Sequence, residues 1–306
     1  MSMDYTCCTL CPRMCRIDRT RRTGYCGCSS VLTAARAALH HWEEPCISGN
    51  GSGGSGTVFF SGCTLRCCFC QNYQISSGHF GKPLTAEQLA SVFLRLEDQG
   101  ALNINLVTPT QYLPDILNAL DLVRHRLSIP VVYNSGGYER IETLKRLEGY
   151  VDIYLPDLKY FDPSLSSRYS NASDYFEFAA PAIQEMIRQT GSPVWKSEGS
   201  DLLARGTVIR HMVLPGCRQD SIRLLHWIKD TLPPHSFLIS LLSQYTPFFH
   251  SSDYPEINWR ITSYEYGKVV DTAIDLGLSE GYMQKKSSAK EEYTPPFNLE
   301  GLQDFN

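Results

Sequence analysis

The chain has no apolar run long enough to cross a membrane and no basic leader followed by a hydrophobic stretch. Its first residues, MSMDYTCCTLCPR, turn polar and cysteine-rich at once. We therefore expect no membrane association and a cytoplasmic location. An excess of charge of one sign is also missing. With 28 Lys and Arg against 32 Asp and Glu, the formal net charge of −4 leaves no broad basic field to draw nucleic acid. What remains is an ordinary globular composition, 42% hydrophobic and 20% charged over 306 residues, enough for one large α/β domain or two of common size.

Cysteine is abundant, and its distribution decides its use. Seven of the twelve cysteines make up two regularly spaced sets, one of four and one of three, and thiols in the cytosol are kept reduced, so metal ligation is expected rather than a disulfide framework. The second array is Gly62-Cys63-Thr64-Leu65-Arg66-Cys67-Cys68-Phe69-Cys70-Gln71-Asn72, in which Cys63, Cys67 and Cys70 are spaced C-x3-C-x2-C. A zinc knuckle would need a fourth donor, and no His or further Cys follows at zinc-finger spacing. Three thiolates on a short loop can hold three irons of a cubane cluster and leave the fourth open to a small ligand.

The first array has Cys8, Cys11, Cys15 and Cys26 as its most regular tetrad, with Cys7 and Cys28 as alternatives at either end. Four thiolates close a site, which suits a structural zinc or a second iron-sulfur cluster, and spacing does not separate the two. Arg13, Arg16, Arg19, Arg21 and Arg22 would offset the negative charge of such a unit. An unligated N-terminal arm is the plainer alternative.

Val31 to His40 reads as a short helix, and Trp42-Glu43-Glu44-Pro45 then leads into a glycine-serine run over 48–56. That run lacks the Gly-Lys-Ser/Thr ending of a phosphate-binding loop and precedes a strand, so it reads as a hinge. The expected division is a cysteine-rich module over 1–48, a main domain over 57–284 and a tail over 285–306. Within the main domain, short apolar and β-branched runs at 57–61, 102–107, 130–134, 151–155, 206–213 and 236–242 predict six strands. Helices are predicted between them at 86–99, 112–127, 138–148, 174–190 and 219–232, with a last one at 262–276. Alternating strands and helices imply a parallel sheet whose ligands bind beyond the carboxyl ends of the strands; periodicity allows either a barrel or an open sheet.

The cysteine loop, with Phe69 directly before its third cysteine, resembles that of the radical S-adenosylmethionine (SAM) enzymes. Over its whole length the chain resembles the pyruvate formate-lyase activating enzyme-like branch of that superfamily. The resemblance implies a partial (β/α)6 TIM-like barrel with a small N-terminal cysteine-rich metal-binding module. It implies a [4Fe-4S] cluster on Cys63, Cys67 and Cys70 that binds and reductively cleaves SAM to a 5′-deoxyadenosyl radical for hydrogen abstraction. It extends the cofactor site to Phe69 and Asn72 of the loop, and to the strand ends. Thr108 and Thr110 stand where many members have Gly-Gly-Glu; Asn134 and Ser135 resemble the segment that reaches the SAM ribose and methionine. Asp157-Leu158-Lys159 matches an element whose lysine approaches the SAM carboxylate, and His211 stands where a ring flanks the adenosine. The implied partners are a glycyl radical enzyme as substrate and a reductant such as flavodoxin or ferredoxin. The alternatives are modification of a small molecule or another protein side chain, and an iron-sulfur carrier that does not turn SAM over.

Overall fold

The computed structural model describes residues 5–51, 53–284 and 294–304; the remainder of the expected tail, 285–293 and 305–306, lies outside the described residues. Among the described residues ten strands form in chain order: β1 (Thr33–His40), β2 (Ser55–Phe60), β3 (Lys82–Pro83), β4 (Ile104–Val107), β5 (Val131–Ser135), β6 (Ile153–Pro156), β7 (Val194–Trp195), β8 (Leu203–Met212), β9 (Leu238–Leu242) and β10 (Gly281–Met283). They build one sheet in the order β10-β9-β8-β6-β5-β4-β2-β1-β3, with β7 paired to β8 off this path. From β2 to β10 along that path every pairing is parallel, whereas β1 runs antiparallel to both β2 and β3. The path has two ends and does not close: this is the partial barrel, with all six expected strands in it.

The stretch predicted as a helix over 31–40 is instead β1. Its alanines favour a helix in isolation, but Ala34, Ala38 and His40 lie in register with Phe60, Thr57 and Ser55 of β2. Pairing with a strand whose residues are all buried outweighs a local preference of a few tenths of a kcal/mol per residue. The chain then makes one helical turn, Pro45–Ser48, whose Cys46 and Ile47 pack among Val132, Ile153, Leu155, Val208 and Leu238. Residues 33–48 are thus paired and packed with the main sheet.

The longer helices are where their patterns place them. Ala86–Asp98 starts at a reciprocal capping box between Thr85 and Gln88, and Ser263–Asp275 starts at another between Thr262 and Glu265. Leu113–Val123, Tyr175–Thr190 and Arg218–Thr231 complete the outer layer, while the stretch predicted over 138–148 is helical only at Ile141–Leu144. Helix Pro163–Ser170, capped by Asp162, had no apolar stripe to announce it.

Candidate functional site

The cysteine loop leaves β2 and turns across the carboxyl ends of the parallel strands. Gln111 fixes its start: the Gln111 side-chain amide donates to the carbonyls of Ser61 (3.0 Å), Gly62 (3.1 Å) and Thr108 (2.8 Å). Gly62 has φ +84°, and a Cβ there would fall on the Cys28 sulfur, so glycine lets the N-terminal cysteines pack directly beneath the loop. Arg13 ties the two together from the side. It donates to the carbonyls of Thr64 (2.9 Å) and Asn171 (2.6 Å), and its guanidinium lies 4.0 Å over the Tyr25 ring.

Cys63, Cys67 and Cys70 line one cavity of about 250 Å³ at the mouth of the half-barrel. Each sulfur accepts a hydrogen bond, from the Leu65 amide (3.4 Å), the Ser170 hydroxyl (2.9 Å) and the Ser76 hydroxyl (3.3 Å) respectively. Burial pushes the Cys67 and Cys70 thiols up, Cys70 to about 12, with the Lys159 charge opposing it at Cys67. Cys68 does not line the cavity. Its backbone is held by Tyr169 and His250, and Phe69 beside it packs edge-on against Tyr245 at 5.6 Å.

The floor of the cavity is charged. Arg210 pairs with Asp157 (3.0 Å) and with Glu43 (3.2 Å) and donates to Asn134 Oδ1 at 2.6 Å. Lys159 Nζ lies 2.6 Å from Asp157 Oδ2. Glu43 Oε1 accepts from the side-chain amides of Asn105 and Asn134, both at 3.2 Å. Arg210 and Lys159 hold the Asp157 carboxyl below its usual range against the burial that would raise it.

Of the residues expected at the cofactor site, Phe69, Asn72, Thr108, Asn134, Ser135, Asp157 and Lys159 line this cavity with the three cysteines. Two do not. Thr110 is buried behind the mouth, donating to Glu139 Oε1 at 2.7 Å and bonded to the Tyr133 hydroxyl at 2.9 Å. His211 points to the outer side of β8, with Nδ1 2.6 Å from the Leu158 carbonyl and Nε2 2.8 Å from the Ser221 hydroxyl. Successive residues of a strand face opposite sides, so it is Arg210 and Met212 that enter the cavity. The period-two alternation along 206–213 would have predicted this. Glu43 carried no signal, because the segment before it read as a helix rather than as a strand of the sheet.

Among the N-terminal cysteines, Cys8, Cys11, Cys26 and Cys28 are buried, whereas Cys15 is half-buried and accepts from the Tyr25 amide, and Cys7 is exposed. The burial pattern thus groups Cys28, rather than Cys15, with Cys8, Cys11 and Cys26. Arg19, fully buried among them, donates to Cys8 Sγ (3.8 Å) and to the carbonyls of Cys28 (3.1 Å) and Gln111 (2.6 Å). The Cys28 thiol and the Arg19 charge hold the Cys26 thiol below its usual range against the burial that would raise it. Among the described residues no three His, Cys, Asp or Glu side chains converge on a single ion. For Cys63, Cys67 and Cys70 the donor chemistry instead fits a cubane, which takes one thiolate per iron and so spreads its ligands around a cavity.

The Radical SAM superfamily signature matches residues 57–223. The chain belongs to the radical SAM superfamily. This radical SAM protein is 28% identical over 284 residues to an uncharacterised protein of Methanocaldococcus jannaschii, covering 89% of the chain and 75% of that protein. It is 32% identical over 122 residues to the pyruvate formate-lyase-activating enzyme of Clostridium pasteurianum, covering 37% of the chain and 49% of the enzyme. The crystal structure of Streptococcus suis SuiB bound to precursor peptide SuiA shares the fold, with a TM-score of 0.50 at 14% identity, covering 73% of this chain and 46% of SuiB. The chain thus spans about half the length of the latter two. Membership implies SAM-dependent radical chemistry at a [4Fe-4S] cluster. Among the described residues no helix is long and apolar enough to cross a membrane.

Proposed function

We propose that this radical SAM protein takes a hydrogen atom from a polypeptide substrate, with a backbone glycine of a partner enzyme as the target the observations favour. The observation that carries this reading is the cavity that collects Cys63, Cys67 and Cys70 with the Asp157–Lys159 pair, a pair that resembles an element of glycyl radical activases. The partial identity to a pyruvate formate-lyase-activating enzyme supports the same reading.

Cluster and SAM, when bound, supply a 5′-deoxyadenosyl radical. The protein's residues do the rest. Cys63, Cys67 and Cys70 would hold the cluster, and their three hydrogen-bond donors stabilise thiolate over thiol. Lys159, aimed by Asp157, presents a cation to the SAM carboxylate, and Asn134 and Ser135 offer neutral hydrogen-bonding groups for the rest of the cofactor. Leu65 and the Phe69–Tyr245 pair, all nearly fully buried, keep water from the loop's inner side. By the same donor chemistry as the cluster loop, the N-terminal thiols Cys8, Cys11, Cys26 and Cys28, no three of which converge on a single ion among the described residues, would suit a second cluster rather than a zinc.

The test is electron paramagnetic resonance of a glycyl radical enzyme incubated with the reduced protein, SAM and reduced flavodoxin. A glycine-centred radical is expected. Formation of 5′-deoxyadenosine without such a radical, across glycyl radical enzymes, would favour a different side chain or a small molecule as the target.

A further inference from the structure

A second cavity, of about 430 Å³, runs along the open flank of the half-barrel, between β9 and β10 on one side and residues 41–50 on the other. It shares Trp42, Glu43, Leu242 and Gln244 with the cysteine-lined cavity, so the two adjoin at the mouth. Glu44 lines only the flank cavity. Its side chain is 7% exposed, and Oε2 is buried without a hydrogen-bond partner among the described residues. A buried carboxyl left without a partner either holds a proton or takes a cation from outside.

Asp157, Glu43 and Glu44 surround Arg210; burial pushes the Glu43 and Glu44 carboxyls up, and Arg210 acts against that rise at both. Arg210 is already committed to Glu43 and Asp157, and Lys159 to Asp157. Neither cation is paired with Glu44 among the described residues. Trp42 and Tyr282 line the same cavity, and aromatic rings are the usual companions of a carboxylate at sites for organic cations.

We propose that the flank cavity binds the cationic end of a basic side chain, Arg or Lys, of the polypeptide substrate, pairing it with Glu44 against the wall formed by Trp42 and Tyr282. This rests on the reading that the substrate is a polypeptide. The subsite adjoins the cysteine-lined mouth, so it would fix the register of the peptide whose hydrogen is taken.

The test uses n-butylguanidinium and its neutral isostere n-butylurea as probes, titrated into the full chain with saturating SAM so that the mouth cavity is occupied. The guanidinium is expected to bind at least about tenfold more tightly than the urea. Glu44→Gln should remove that preference, and Trp42→Ala should weaken the guanidinium alone. Equal affinity of the two probes in the unaltered protein overturns the proposal, whatever the variants do. So does an unchanged preference in a Glu44→Gln chain whose iron content and melting temperature match the parent. If the guanidinium preference is found but reduced protein forms no 5′-deoxyadenosine, the radical reading fails while the subsite stands.

Discussion

Lys159 Nζ lies 2.6 Å from Asp157 Oδ2, and both side chains face the cavity that holds Cys63, Cys67 and Cys70. Arg210 anchors Asp157 from the other side at 3.0 Å, so the lysine is aimed by a carboxylate that is itself held. Lys159→Ala should therefore leave the fold and the cluster intact and weaken SAM binding by about ten- to a hundredfold, the loss of a charge-assisted hydrogen bond of about 1.5 to 3 kcal/mol. Equilibrium binding of SAM to the reconstituted variant measures this. Unchanged affinity with an unchanged cluster spectrum would remove Lys159 from the cofactor site.

Cys68→Ala should retain iron and SAM cleavage, because its backbone is fixed by Tyr169 and His250 and its thiol lies outside the cavity. Alanine at Cys63, Cys67 or Cys70 should each abolish cleavage. Iron analysis alongside activity separates ligand loss from misfolding, and a Cys68→Ala chain as damaged as the other three contradicts the ligand assignment.

The strand-end residues were legible in the sequence because a parallel sheet places its loops at one end: the cysteine loop, Asn134, Ser135, Asp157 and Lys159 meet at the mouth. What could not be read was side-chain direction and the far edge of the sheet. His211 and Arg210 are adjacent in sequence and face opposite ways, and register along β8 decides which enters the cavity. Thr110 lies two residues past Thr108, yet the turn Thr110–Tyr112 carries it behind the mouth. β1 was hidden by its alanines, and with it the route by which Glu43 reaches the charged floor.

His211→Ala should cost stability rather than SAM affinity, since it removes two buried hydrogen bonds, leaving the Leu158 carbonyl without its side-chain partner and the Ser221 hydroxyl with only the long 3.5 Å bond to the Cys217 carbonyl. A loss of about 1 to 3 kcal/mol is expected in urea unfolding. A large fall in SAM affinity with unaltered stability would return His211 to the cofactor site.

Glu139 should limit stability at neutral pH. Burial raises its carboxyl from 4.5 to about 7, with hydrogen bonds from Thr110 acting against the rise. The unfolded chain ionises first, so this residue's share of stability is complete below about pH 4.5 and is lost as pH rises through about 7. His40 acts in the opposite sense. Burial lowers it from 6.5 to about 4, so its share is present above 6.5 and is lost as pH falls toward 4. Glu139→Gln should match the parent near pH 4.5 and exceed it by about 3 kcal/mol at pH 8. An equal difference at both pH values would mean that Glu139 does not titrate in this range.

The N-terminal thiols should retain metal without the cluster loop. In a Cys63/Cys67/Cys70 triple alanine chain, several irons rather than one zinc are expected by metal analysis. Metal-free protein with Cys8, Cys11, Cys26 and Cys28 all reactive toward a thiol reagent on unfolding would show that buried thiols packed around Arg19 suffice there.

The most direct measurement is single-turnover chemistry in anaerobically reconstituted, dithionite-reduced protein mixed with SAM. Methionine and 5′-deoxyadenosine should form in equal amounts, and neither should form in Cys63→Ala. Full cluster occupancy with bound SAM and no 5′-deoxyadenosine, with or without added glycyl radical enzyme, would contradict the account and leave an iron-sulfur carrier in its place.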